Sequence, residues 1–291
     1  MRTASLLLLL PFLSCRTTDD RLAPGERVWF QDVAWSPDGA NLAVTRGVFA
    51  PSGDWKTEIW ILDPDQGNPR RLTGGAANEI WPSWSADGSK FVFASGGERS
   101  RDVWIANADG SDPVRLTDDR ASDTAPTLSP DGRRVAFMSD RDGLGQIFVV
   151  ATDGTGLRRL SAGTMREEHP RWSPDGRWIA FHGGAPGARD DIWVMRPDGT
   201  GRRRIASGGV FPMWLPSGTA LAFSGDGGVY LVGLDGGAPA LHLPGAMYAA
   251  WSSDAGRIAT ISRGEGRTGV FVRPAGGTSP TCLMEGPGPP W

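Results

Sequence analysis

The sequence predicts an all-β protein, a six-bladed β-propeller built from four-stranded antiparallel blades. Three observations predict it. First, the phrase Trp-Ser-Pro-Asp-Gly at Trp35–Gly39 and Trp172–Gly176 returns in variant form at Trp84-Ser85-Ala86-Asp87-Gly88, Leu128-Ser129-Pro130-Asp131-Gly132, Trp214-Leu215-Pro216-Ser217-Gly218 and Trp251-Ser252-Ser253-Asp254-Ala255. Second, the anchors at 35, 84, 128, 172, 214 and 251 are spaced by 49, 44, 44, 42 and 37 residues. A period near forty with strand-like content marks propeller blades. Third, the 41 glycines and 23 prolines gather at turn positions between short apolar runs rather than in a low-complexity tract.

Each copy reads as four strands. The first runs into the anchor, as in Pro170-Arg171-Trp172. The Pro-Asp-Gly turn follows, with proline presetting φ and glycine taking the position that needs φ > 0. In the sixth copy Ala255 holds that glycine position, a cost of roughly 1 kcal/mol unless Gly256 shifts the turn. The second strand is a triplet apolar on both faces, such as Val135-Ala136-Phe137 or Ile179-Ala180-Phe181. Such strands are sandwiched on both sides, here by the neighbouring blades. The third strand centres on an aromatic in all six copies: Trp60, Trp104, Phe148, Trp193, Tyr230 and Phe271. These read as inter-blade core. Asp-Gly hairpin turns come next, at 109–110, 153–154, 198–199 and 235–236. The fourth strand carries arginines, as in Arg158-Arg159-Leu160-Ser161, which keep an outer edge soluble.

The succession of Trp-Ser-Pro-Asp-Gly, Ile179-Ala180-Phe181, Asp191-Ile192-Trp193-Val194, Asp-Gly and Arg-Leu-Thr resembles the TolB-type, WD40-like β-propeller repeat. The resemblance runs over residues 26–285. It implies the propeller alone, since TolB itself has an α/β domain before its propeller. Two chain ends compete to complete the last blade. Thr281-Cys282-Leu283-Met284, which continues its own hairpin, is preferred over Arg21-Leu22-Ala23. Residues 286–291 are expected as a loose tail.

The amino terminus reads as a signal peptide over residues 1–14, followed by a tether at 15–25. Arg2 supplies a positive start, and Leu6–Leu13 is an apolar run too short to span a bilayer. Phe12-Leu13-Ser14-Cys15 resembles a bacterial lipoprotein processing site. That resemblance implies a lipid on Cys15, and Arg16 after it implies the outer membrane, facing the periplasm. If Cys15 is acylated, Cys282 has no intrachain partner; if it is not, a bond between them would tie the two ends.

The net charge of -3 gives no basic footprint, so nucleic acid is not an expected partner. Function is expected where the repeat breaks, because variable loops on a rigid scaffold carry it. The longest connection, Arg46–Lys56, presents Phe49 and Trp55 as contact anchors. Residues just ahead of the anchors should line the channel mouth. Asp32, Trp81, Ala125, His169, Phe211 and Tyr248 stand three before, and Glu79, Asp123 and Glu167 five before. The mouth is therefore expected to have an aromatic half and an acidic half, suited to a basic peptide segment or a cation. The competing expectation is that the carboxylates cap hydrogen bonds between blades.

Catalysis has thin support. His169, His182 and His242 hold non-equivalent repeat positions, and no Gly-x-Ser-x-Gly elbow is present. No catalytic residue, metal ligand or cofactor is assigned, although His169 beside Glu167 and Glu168 could join a metal set. The expected role is that of a monomeric scaffold for an envelope protein or peptide segment, in contact with the membrane through its lipid alone. A polysaccharide lyase or hydrolase with a metal- or carboxylate-based site in the funnel is the alternative.

Overall fold

The computed structural model describes residues 22–288 apart from 76, 98, 162, 265 and 278. The signal peptide, Cys15 and most of the tether lie outside the described residues. Blade 1 comprises β1 (Arg27–Trp35), β2 (Leu42–Phe49), β3 (Trp55–Asp63) and β4 (Gly67–Arg71). Blade 2 comprises β5 (Asn78–Trp84), β6 (Lys90–Gly97), β7 (Ser100–Asn107) and β8 (Val114–Arg115). Blade 3 has β9 (Asp123–Leu128), β10 (Arg134–Ser139), β11 (Gln146–Ala151) and β12 (Arg158–Arg159). Blade 4 has β13 (Arg166–Trp172), β14 (Ile179–Gly184), β15 (Asp191–Met195) and β16 (Arg203–Ala206). Blade 5 has β17 (Val210–Trp214), β18 (Ala220–Gly225), β19 (Gly228–Gly233) and β20 (Ala240–Pro244). Blade 6 has β21 (Ala246–Trp251), β22 (Arg257–Gly264), β23 (Arg267–Pro274) and β24 (Thr281–Pro287). Each blade is a separate four-stranded antiparallel sheet of consecutive strands.

The repeated phrase makes the turn between the first and second strand of each blade. Its serine hydroxyl donates to the aspartate two residues on, at 2.5 Å from Ser36 to Asp38 and 2.6 Å from Ser85 to Asp87. The same hydroxyl accepts the backbone N–H five residues on, from Asn41 and Lys90 in these copies. Hydrogen bonds to the charged carboxylate favour ionisation, so Asp87 is held down at about 2. The glycine position is left-handed throughout. Ala255 adopts φ 57 there, so the sixth turn keeps its shape and Gly256 does not relieve it.

The anchor tryptophans ratchet the blades together. Two reach back to the carbonyl just before the previous anchor: Trp84 Nε1 donates to Ala34 O at 3.2 Å and Trp214 Nε1 to Arg171 O at 2.9 Å. Trp172 Nε1 is buried without an acceptor. Where an arginine stands six residues after an anchor it covers the next anchor ring, with Arg134 4.9 Å from the Trp172 centroid.

The ring closes by the same contacts rather than by an exchanged strand. Trp35 Nε1 donates to Ala250 O at 3.0 Å, and Arg257 lies 4.9 Å from the Trp35 ring centroid. The carboxyl-terminal strand completes blade 6, as expected, with Phe271 opposite Cys282. It extends two residues into the segment expected as a loose tail, and Gly288 N still bonds Gly266 O at 2.7 Å. Leu22 packs onto the cluster shared by blades 1 and 6 and is not a paired strand. Cys282 is buried and disulfide-bonded, while Cys15, the chain's other cysteine, lies outside the described residues.

Candidate functional site

The channel is lined by the six first strands, and each carries a bulge, three residues before the anchor in blades 1 to 5 and four before it, at Met247, in blade 6. Pairing shifts between Ile80 and Ser83, between Glu168 and Arg171, and between Val210 and Met213, and likewise in the other blades. Trp81, Ala125, His169 and Phe211 take positive φ of 57, 49, 52 and 54 there. Bulky residues in that region are strained, and bulges re-aim side chains. The N–H that a bulge frees from the sheet is taken by the second strand of the preceding blade. Trp81 N donates to Thr45 Oγ1 at 3.1 Å, and Phe211 N donates to His182 Nδ1 at 3.1 Å. Thr45 and His182 each stand ten residues after their anchors, so His182 performs a repeat function.

Four of the residues three before the anchors, Trp81, His169, Phe211 and Tyr248, meet in the channel. His169 lies edge-on to Trp81 with centroids 5.2 Å apart and edge-on to Phe211 at 4.6 Å, and it stacks on His182 at 5.0 Å. Phe211 leans on Tyr248 at 6.3 Å. Asp32 completes the layer, 3% exposed, accepting from Thr45 Oγ1 at 3.3 Å, with Oδ2 unpartnered. Burial raises its pKa to about 7 against the opposing charge of Arg171. Both ring nitrogens of His169 are buried without partners, and desolvation holds its pKa well below 6.5.

The acidic half of the mouth is not formed. Glu79, Asp123 and Glu167 are 5%, 0% and 0% exposed and lie in the wall between blades. Asp123 pairs with Arg141 at 2.9 Å, and Glu167 pairs with Arg202. Glu79 and Asp123 also bond the hydroxyl that ends the previous blade, Thr73 and Thr117, while Ser161 at the same place before Glu167 donates to Gln146 Oε1 at 3.1 Å. Those hydroxyls in turn accept backbone N–H groups of the third strands, as from Val103 to Thr117 at 3.0 Å. A buried carboxylate is retained only with such partners. The carboxylates are therefore blade ties, and desolvation raises all three pKa values. The Leu-Thr or Leu-Ser ending six residues before each acid was the legible signal for this role.

The blade-one connection is a hairpin rather than a loop. β2 and β3 run on to pair Phe49 with Trp55, leaving only residues 50–54 as the turn. Both aromatics are half-buried. They line a cleft of about 520 Å³ with Trp29, Gln31, Thr57, Ile80, Trp81, Arg101 and Arg263. Trp29 and Trp55 have centroids 6.1 Å apart, and Trp29 lies where a Cβ on Gly47 would sit, so glycine is required at 47. Trp81 belongs both to this cleft and to the layer in the channel. Phe49, Trp55 and Trp81 thus come together, while Asp32, His169, Phe211 and Tyr248 form the deeper layer.

Residues 96–208 match the family model of the TolB beta propeller domain. Over those residues the chain is similar to the TolB beta propeller, and the described residues fold as a six-bladed β-propeller. Its fold is similar to that of TolB from Acinetobacter baumannii, with 16% identity and a TM-score of 0.55 over 88% of this chain and 56% of that one. A putative TolB from Agrobacterium tumefaciens gives 22% identity and a TM-score of 0.58 over 88% and 80%. An oligogalacturonate lyase in complex with manganese gives 12% identity and a TM-score of 0.60 over 87% and 91%. The chain thus spans little more than half the length of the Acinetobacter protein. No curated protein matches it in sequence.

One cluster of the ring has the residue types of a metal set. Ligand atoms of Glu168, His169 and His182 lie within 4.8 Å of one another. A histidine that binds metal normally donates its other ring N–H. His182 instead accepts at Nδ1 from Phe211 N–H, which leaves its proton on Nε2, 3.5 Å from Glu168 Oε2. The lone pair that a metal would use is therefore absent, and Glu168 and His169 remain as two donors.

Proposed function

We propose that this TolB-type propeller is an envelope scaffold that docks a protein or peptide segment at the mouth face, through the blade-one cleft. The cleft carries the proposal. It brings four aromatics from two strands and the hairpin together with two arginines, at the point where the repeat is broken. Aromatics and arginines in a partly desolvated pocket are the residues that dominate interface energetics. With Glu79, Asp123 and Glu167 in the wall, the mouth lacks the acidic half that would select a basic segment, and the aromatics of the cleft carry the contact. Lipidation of Cys15 and periplasmic placement belong to the same proposal, motivated by the Leu13-Ser14-Cys15 processing site. A thiol spent on Cys282 cannot carry lipid, so the two fates of Cys15 exclude one another.

The test is affinity capture from detergent-solubilised envelopes with wild type and Trp55→Ala side by side. A prey recovered with wild type and lost with the variant, at unchanged thermal stability, supports the reading. Identical recovery from both contradicts it.

An enzyme reading is favoured by one observation, the Glu168, His169 and His182 cluster. The proton placement on His182 argues against it. Elemental analysis of the purified protein decides: stoichiometric metal that survives dialysis supports the enzyme, and its loss in Glu168→Gln would place it there.

A further inference from the structure

The turn face of the ring has a cavity of its own, none of whose lining residues belongs to the layer of Asp32, Trp81, His169, Phe211 and Tyr248. It opens among the repeated turns, measures about 430 Å³ and is touched by all six blades. That volume is in the range of small-ligand sites, roughly 300–1,000 Å³. The anchors Trp35, Trp84, Leu128, Trp172, Trp214 and Trp251 make its wall, and Pro37, Pro130, Pro174 and Pro216 its rim. The floor comes from the residues one before each anchor. Ala34, Ser83 and Ala250 are small, which leaves the space, and Arg171 and Met213 are large.

Arg171 is the charged residue of that floor. It is half-buried. Its Nε donates to the Met213 thioether at 3.3 Å and its Nη2 to the Tyr248 hydroxyl at 3.2 Å. Among the described residues no carboxylate is within ion-pair distance of it, unlike Arg141, Arg166 and Arg202, which all pair with acids. Asp32 feels the Arg171 charge but stays partly protonated at neutral pH. A half-buried guanidinium held in a largely apolar cavity by a thioether and a phenol, with no carboxylate in contact, keeps its charge for a ligand. Such a group binds an anion strongly, and a planar carboxylate fits its fork.

We infer that the turn-face cavity binds a carboxylate with an apolar body, its acid group on Arg171 and its body against the ring of anchor tryptophans. This site is separate from the blade-one cleft. A free small acid and the carboxyl end of a peptide share this chemistry.

Five of the chain's 13 tryptophans line the cavity, so intrinsic fluorescence reports occupancy. The titration compares 3-phenylpropionate with its amide, and the tripeptide Gly-Gly-Phe with its amide. The expected result is saturable binding in which an acid exceeds its amide by about tenfold or more, the scale of a charge-assisted bond. The acid that shows the larger margin identifies the source. Arg171→Met should erase the margin while keeping the circular dichroism and melting profile of the wild type. Ser83→Phe, which fills the floor and leaves Arg171 in place, should abolish binding of both acid and amide. Equal affinity of acid and amide, undiminished acid binding by either variant, or no saturation at millimolar ligand overturns the inference.

Discussion

Replacing Asp32 by asparagine should make the protein more stable, and the gain should grow with pH. Asp32 is 3% exposed, has one oxygen without a partner and has a pKa near 7 in place of 3.8. Below pH 4 the carboxyl is protonated in both folded and unfolded chains and contributes no pH dependence. Between pH 4 and 7 the unfolded chain has released the proton and the folded chain still holds it. The unfolded state then binds fewer protons, so stability falls as pH rises. Three pKa units at 1.36 kcal/mol each set an upper bound of about 4 kcal/mol on that loss. Asparagine keeps the shape and an acceptor for Thr45 and never ionises. Other buried acids, among them Glu79 and Glu167, titrate in the same direction, so the informative quantity is the difference between variant and wild type. Urea denaturation at pH 4.5, 6 and 8 measures it. The expected outcome is a stability gain for Asp32→Asn that rises by at least 1 kcal/mol across this range, within the bound above. A difference that stays constant with pH, or falls, would refute the placement of a protonated carboxyl in the channel layer.

Three further outcomes are expected. Ala255→Gly should raise stability by about 1 kcal/mol, read as a higher denaturation midpoint, because φ 57 costs alanine what it does not cost glycine. Trp214→Phe should lose about 1 kcal/mol with the bond to Arg171 O, whereas Trp172→Phe, whose Nε1 has no acceptor, should lose less; paired melts check the ranking. Intact-mass spectrometry of the membrane-extracted protein, with and without reductant, separates the fates of Cys15. A diacylglyceryl adduct supports the lipid anchor, and a 2 Da gain on reduction supports the bond to Cys282.

The architecture was legible because the repeat is redundant: six copies of turn, triplet and aromatic state the same blade, and a worn copy such as Leu215-Pro216-Ser217 is read from its neighbours. Placement along the channel axis was legible too, since a fixed offset from the anchor puts Trp81, His169, Phe211 and Tyr248 in one layer. Exposure was not. An acid five before an anchor sits at the same offset whether it faces water or a threonine of the previous blade. The choice depends on Thr73, Thr117 and Arg202 arriving from other strands and loops. The face of the repeated turns read as structural for the same reason. What distinguishes it is a single residue, Arg171, in a layer otherwise small or apolar, and charge pairing across the channel has no signature in one strand. The blade-one hairpin read as a loop because Gly47, Pro51 and Gly53 punctuate it, yet Gly47 serves the close approach of Trp29 within a continuous strand.

The most direct test of docking at the blade-one cleft is photo-crosslinking in living cells. A benzophenone amino acid at Phe49 is compared with one at Val114, an exposed residue on the outer strand of blade 2. A discrete protein adduct at 49 that is absent at 114 is the predicted result. Adducts of the same size and yield at both positions, or none at 49, would contradict it.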